Sequence, residues 1–205
     1  YVVLRSMAFL GDALAHAILP GIAIAYLLGG NLLIGALVAA IVVALAIGFL
    51  SRKGEIKEDT AIGILFSAAL ALGVALISSI RTYAVDLSHI LFGNILGVTV
   101  TDIWMIAGLA VGVIATLLLL YRPLKVVSFD PVLATTLRLP TNALRMLLLL
   151  LLAVTIVISL QTVGIGLVAA MLVTPGATAY LLTRRLSSMM LIAAALGAVS
   201  SVVGL

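Results

Sequence analysis

Blocks of about 17 to 25 mostly apolar residues, parted by short polar or charged stretches, recur along the whole chain. A helix of that length crosses a hydrocarbon layer roughly 30 Å thick, and in lipid every backbone N–H and C=O must find its partner inside the protein. Helices that satisfy their own backbone meet both demands. Of 205 residues, 65% are hydrophobic and only 9% charged, too few charges to coat a water-soluble domain. The expected fold is all-α, a polytopic transmembrane helical bundle in a lipid bilayer, forming a single domain over residues 1–205. The chain starts at Tyr1 without an initiator Met and stops at Leu205 within an apolar run, so it is expected to be incomplete at both ends.

The first block covers residues 7–28 and the second 32–50, with Gly29, Gly30 and Asn31 between them as a tight hairpin. A charged turn at residues 51–60 leads into a third block that ends near residue 80. Glu58 and Asp59 belong to that turn and to the helix start rather than to a ligand set. Residues 81–101 mix Asp86 and His89 with a short Gly-containing apolar stretch, expected at the outer surface or as a shallow re-entrant piece. Asp102 is expected to cap a fourth span reaching about residue 121, in which Gly108 and Gly112 permit close helix approach.

Residues 122–142 form the longest polar connection, a cytoplasmic loop. Within it Asp130 caps a short helix that has Pro131 at its first position and ends near Leu137. The fifth span, residues 143–160, holds Arg145 near its start. The sixth, residues 163–183, contains Thr174, Pro175 and Gly176 and is expected to be broken or kinked there. A seventh begins near residue 189. If residues 51–60 are cytoplasmic and spans alternate, ten of the 11 Lys and Arg residues lie inside and Arg81 alone lies outside, the pattern of a correctly oriented membrane protein.

A net charge of +4, gathered at membrane edges, does not imply a nucleic-acid partner. The absence of Cys removes disulfides, thiolate zinc sites and thiol nucleophiles, leaving carboxylate, imidazole, thioether or backbone oxygen for any metal chemistry. Phosphate-cradling loops and hydrolase or metalloprotease motifs are also missing. No catalysis is expected on this chain, and energy from a nucleotide would have to come from another one.

The feature richest in chemistry is Asp12 with His16 inside the first apolar block. Four residues apart, they share one helix face, and Asp12 stands seven residues beyond Arg5, about 10 Å along the axis. Facing lipid they would be costly, so both are expected to face the bundle interior or a watery path. Pro20 cannot donate to the carbonyl of His16, which leaves that oxygen available. Carboxylate, imidazole and carbonyl together suit a divalent cation such as Mn, Fe or Zn. A helix-joining Asp12–His16 hydrogen bond and a proton relay are the other readings of the same residues. Thr174, Pro175 and Gly176 are a second candidate, as a pathway or gate, with Pro20 beside them. Asp86, His89 and Asp102 are candidates for an outer cation entry, although caps and solvated side chains would look the same.

The chain resembles the permease subunits of the bacterial ABC importers for manganese, zinc and iron, the metal ABC-3 family. The resemblance rests on residues 7–21 (MAFLGDALAHAILPG), 59–67 (DTAIGILFS), Asp86 with 91–96 (LFGNIL), Phe129-Asp130-Pro131, and 160–164 (LQTVG) leading into 171–179 (MLVTPGATA). It implies a non-catalytic permease in a bacterial cell membrane. Its implied partners are a second permease copy, two cytoplasmic ABC ATPase subunits and an extracellular or periplasmic metal-binding protein. No bound cofactor is implied, only a transported divalent metal, manganese ahead of zinc or iron. Asp12 and His16 match positions implicated in the metal path. Phe129, Asp130, Pro131, Ala134, Arg138, Leu139 and Pro140 fall in the stretch that resembles the coupling helix seated on the ATPase. The family often has Gly where this chain has Arg138, a departure that bears on the geometry or partner selectivity of that contact. Functions of other kinds compatible with the residues are a noncatalytic membrane scaffold and a siderophore importer permease.

Overall fold

The computed structural model describes residues 1, 3–5, 9–51, 56–79 and 99–204. A 3-10 turn at Val3–Arg5 is followed by α1 (Phe9–Ala17), α2 (Leu19–Leu27), α3 (Leu32–Leu50) and α4 (Glu58–Ser78). Beyond residue 98 come α5 (Val100–Leu119), α6 (Tyr121–Phe129), α7 (Pro131–Thr136), α8 (Thr141–Val163), α9 (Ile165–Leu182) and α10 (Leu186–Val203). The fold is an all-α membrane bundle. Among the described residues, five segments are long and apolar enough to cross a bilayer: Phe9–Leu27, Leu32–Leu50, Glu58–Ser78, Thr141–Leu160 and Leu186–Val203. A sixth arises if Ile103–Leu119 and Tyr121–Phe129, bent by 69° at their junction, are one span. Gly166–Leu182 is a shorter apolar helix, so the seven spans expected from sequence are not all equally long.

Local signals explain where the helices start and stop. Asn31 caps α3, its Oδ1 accepting from Leu33 N at 2.9 Å and Ile34 N at 3.3 Å, and Gly29 turns the chain ahead of it at φ 65°. Asp130 caps α7 by accepting from Leu133 N at 2.9 Å, with Pro131 at the first helical position. Pro20 sits in the first turn of α2, and Ile18 interrupts the first span between α1 and α2. Pro175, where a broken or kinked helix was expected, lies inside α9, which runs unbroken from Ile165 to Leu182.

The core is built on a four-residue rhythm. Leu10, Leu14, Ile18 and Ile22 form one buried stripe along α1 and α2, and Ala36, Ala40 and Ala44 form another along α3. The small residues let α3 lie close to α8, which contributes Leu149, Ala153, Ile156 and Leu160. At the α2–α3 crossing the backbones meet: a Cβ on Gly21 would overlap the carbonyl oxygen of Gly35. The first span is the most enclosed, with 61% of its window buried against 39% for the next. Val38, Val42, Ile64, Val111, Ile114 and Val199 point outward, as apolar side chains can when lipid is the solvent.

The long polar connection expected at residues 122–142 is mostly helical. Its first part is α6, which turns Leu124 and Val127 inward and leaves Arg122 and Lys125 exposed. Leu124, Val127, Ala134 and Leu144 form a second small core that joins α6, α7 and α8 and is flanked by Tyr1, Leu139 and Leu148. There burial, then the proximity of Tyr121, pushes the Tyr1 phenol up to about 12.

Candidate functional site

Asp12 and His16 lie one turn apart on α1, on the side away from the Leu10–Leu14 stripe. Their side chains are 43% and 29% exposed, so neither is sealed in the dry core. His16 Nδ1 is 3.0 Å from the Asp12 carbonyl oxygen and 3.6 Å from Asp12 Oδ1. When Nδ1 carries the proton and donates to that carbonyl, the lone pair of Nε2 is left free for a ligand. Phe66 of α4 flanks the imidazole edge-on, centroids 5.9 Å apart at 89°, and meets Phe9 at 5.5 Å and 81°. The imidazole is therefore held from two sides, by its own helix and by a ring on the next.

Two turns of chemistry meet at this level of the bundle. The carboxylate and imidazole offer one hard oxygen set and one nitrogen, and Pro20 deprives the His16 carbonyl of its usual donor. Among the described residues there is no group of three or more His, Cys, Asp or Glu side chains that could hold a metal ion. Two side chains leave most positions around a divalent ion to water or to groups beyond these residues.

Other sequence candidates fall elsewhere. Asp86 and His89 lie outside the described residues. Asp102, expected to cap the fourth span, does not stand ahead of it: α5 already begins at Val100, which puts Asp102 inside the first turn. Thr174, Pro175 and Gly176 lie on α9, the helix that packs on α1 through Leu172, whose Cδ2 is 3.0 Å from where a Cβ on Gly11 would be. The Pro175 ring faces α10, with its Cγ 3.9 Å from the Cβ position of Gly197. Pro20 is buried beside Gly73 of α4.

At the bundle end that carries α7, Phe129, Val132, Leu133 and Leu137 are exposed, whereas Ala134 is fully buried and anchors the helix. Helix α7 ends in a double bond pattern, with Leu139 N donating to Ala134 O and Arg138 N to Thr135 O, both at 3.0 Å. That closure needs a left-handed residue, and Arg138 supplies it at φ 53°. A cleft of about 550 Å³ opens beside it, lined by Gly48, Leu139, Pro140, Thr141, Arg145 and Met146 among others. Sequence reasoning missed a partly buried ion pair here: Glu58, at the start of α4, meets Arg145 of α8. No spacing rule links residues on different spans, and the only hint was two opposite charges each placed just inside an apolar run. Phe66 was equally silent, an aromatic within an apolar block.

The described residues form a multi-pass membrane bundle with an ionisable pair on its most enclosed span and a short helix with exposed apolar side chains at one end, an arrangement compatible with a membrane permease. The chain belongs to the ABC 3 transport family, which it matches over residues 1–205. It is 51% identical over 205 residues to the manganese transport system membrane protein MntC of Halalkalibacterium halodurans, covering all of this chain and 70% of that protein. It is 47% identical to the manganese import system permease protein ScaB of Streptococcus parasanguinis, covering all of this chain and 73% of that one. Among solved structures it resembles PsaBC from Streptococcus pneumoniae in complex with Fab, with a TM-score of 0.83 and 41% identity over 99% of this chain and 73% of the other. Permease subunits of this family are not catalytic; ATP hydrolysis resides on separate ATPase subunits of the transporter complex.

Proposed function

We propose that this chain is the permease subunit of an ATP-driven importer of divalent manganese. The complex holds two permease copies and two cytoplasmic ATPases, and an extracellular metal-binding protein delivers the cation. Asp12 and His16 form a transient station, the imidazole Nε2 and the carboxylate replacing part of the ion's water shell. Weak, two-sided ligation suits transport, because a full ligand cage would trap the cargo. Their partial exposure on the protomer leaves room for water or a second copy to complete the coordination.

Residues around Asp86, His89 and Asp102 serve as the outer entry, and Pro20 with Thr174, Pro175 and Gly176 gives the pathway its adjustable backbone, Pro175 by kinking α9. Helix α7 is the coupling helix: its cap and buried Ala134 hold it rigid, and its exposed Phe129, Val132 and Leu137 seat on the ATPase. The observation that carries this reading is the Asp12–His16 pair, one helical turn apart on the most enclosed span of a chain that belongs to a transport family.

The test is uptake of radioactive manganese by the full complex in liposomes, with zinc and iron as competitors. Asp12→Asn and His16→Ala each lower manganese uptake by about tenfold or more, the scale on which a lost metal ligand or its orienting partner acts, while protein abundance holds. Unchanged uptake at unchanged abundance removes the site. Zinc or iron outcompeting manganese reassigns the cargo within the family. Absence of uptake for every metal leaves the scaffold reading.

A further inference from the structure

Glu58 and Arg145 are largely buried, their side chains 19% and 18% exposed, at the bundle end that carries α7. Glu58 opens α4, and Arg145 lies just inside the start of α8. The Arg145 guanidinium pairs with Glu58 and also donates from Nη1 to the backbone carbonyl of Ser51, the C-cap of α3, at 3.3 Å. Ser51 is itself buried and donates back to Ile47 O at 2.5 Å. One side chain therefore ties three helix ends together. Between the last residue of α7, Thr136, and the first of α8, Thr141, only a short connector intervenes, so a displacement of α7 is passed directly to the segment holding Arg145.

Stability alone does not explain such a pair. Desolvation offsets most of the Coulomb gain of buried charges, and apolar side chains of similar size often serve as well or better. The guanidinium does supply direction, since its Nη1 bond to Ser51 O and its charge contact with Glu58 hold the planar group between two helix ends, whereas aliphatic contacts can slide. From Glu58, α4 runs as one helix to Phe66, eight residues and about 12 Å further on, and Phe66 is the ring held against His16.

We propose that the Arg145–Glu58 pair is a positioning latch that makes the adjoining ends of α3, α4 and α8 follow α7 as one body, so that displacement of α7 reaches Phe66 and shifts it against His16. The proposal rests on the coupling and metal roles given above. It concerns positioning, since neither Glu58 nor Arg145 touches the cation.

The full complex, reconstituted with its ATPases in liposomes, reports manganese moved per ATP hydrolysed. The paired replacement Glu58→Leu with Arg145→Met leaves no orphaned charge, so the complex assembles and hydrolyses ATP, but manganese moved per ATP falls about fivefold, the scale of coupling carried by residues remote from both sites. Arg145→Lys keeps the charge and loses the planar group; its ratio falls as well, and it decides the matter alone if the paired variant does not assemble. An unchanged ratio in an assembled variant, beside an active parent, removes the latch and leaves the transport reading standing. A parent complex that moves no manganese overturns the transport reading, and the latch with it.

Discussion

Arg138 holds a backbone conformation that its side chain disfavours. At φ 53° it is the non-glycine residue with positive φ among those described, and the left-handed region costs an L-residue about 1 to 2 kcal/mol. The closure of α7 fixes this, because the bonds from Leu139 N to Ala134 O and from Arg138 N to Thr135 O form only around a left-handed residue. Arg138→Gly is therefore expected to stabilise the protein by about 1 kcal/mol, read as a raised thermal midpoint in detergent; a lowered midpoint would mean that the arginine side chain makes a contact worth more than its backbone cost. The residues that could be read from sequence were those with a local signature. Asp12 and His16 declare themselves by a spacing of four within an apolar run, and Asp130 by the proline that follows it. Arg145 and Glu58 are far apart in the chain, and no local rule joins them.

Helix α7 shows what a short element needs in order to persist. Six residues cannot sustain a helix by propensity alone, and this one is held by the Asp130 cap, the closure at Arg138 and the burial of Ala134 against Leu124, Val127 and Leu144. Asp130→Ala removes the acceptor of the Leu133 amide and is expected to cost about 1 kcal/mol locally. The check is hydrogen exchange at Leu133, faster in Asp130→Ala and restored in Asp130→Asn, which caps as well. Equal exchange in all three would show that tertiary burial holds the helix without its cap. The preceding helix escaped sequence reading because Arg122, Pro123 and Lys125 make its stretch look like a polar loop. Its inward face is narrow, Leu124 and Val127, and only the neighbouring α7 and α8 give that face something to bury against. Long spans are legible from length and apolarity alone, whereas a surface helix depends on what lies beneath it.

At the scale of the molecule, contacts constrain topology. Glu58 and Arg145 touch, so the start of α4 and the start of α8 lie at the same end of the bundle. Since α4 crosses, an odd number of further crossings must fall between residues 79 and 140, and α5 supplies one. This argues that the helix bent by 69° against α6 does span, with α6 turned along the membrane edge. The same logic places Ser51 with Arg145, and α9, whose 18 residues reach about 27 Å, returns the chain to Arg184 and Arg185. On the positive-inside pattern that shared end is expected to face the cytoplasm. Because the chain has no Cys, single cysteines report sidedness cleanly. Gly30→Cys and Val203→Cys are expected to react with a membrane-impermeant maleimide on intact cells, and Lys57→Cys and Arg184→Cys only after lysis. Labelling of Arg184→Cys from outside together with protection of Lys57→Cys would mean that one of the intervening helices fails to cross. Labelling of Lys57→Cys from outside would place α7 on the face opposite the ATPases, and the coupling role proposed for it would fall.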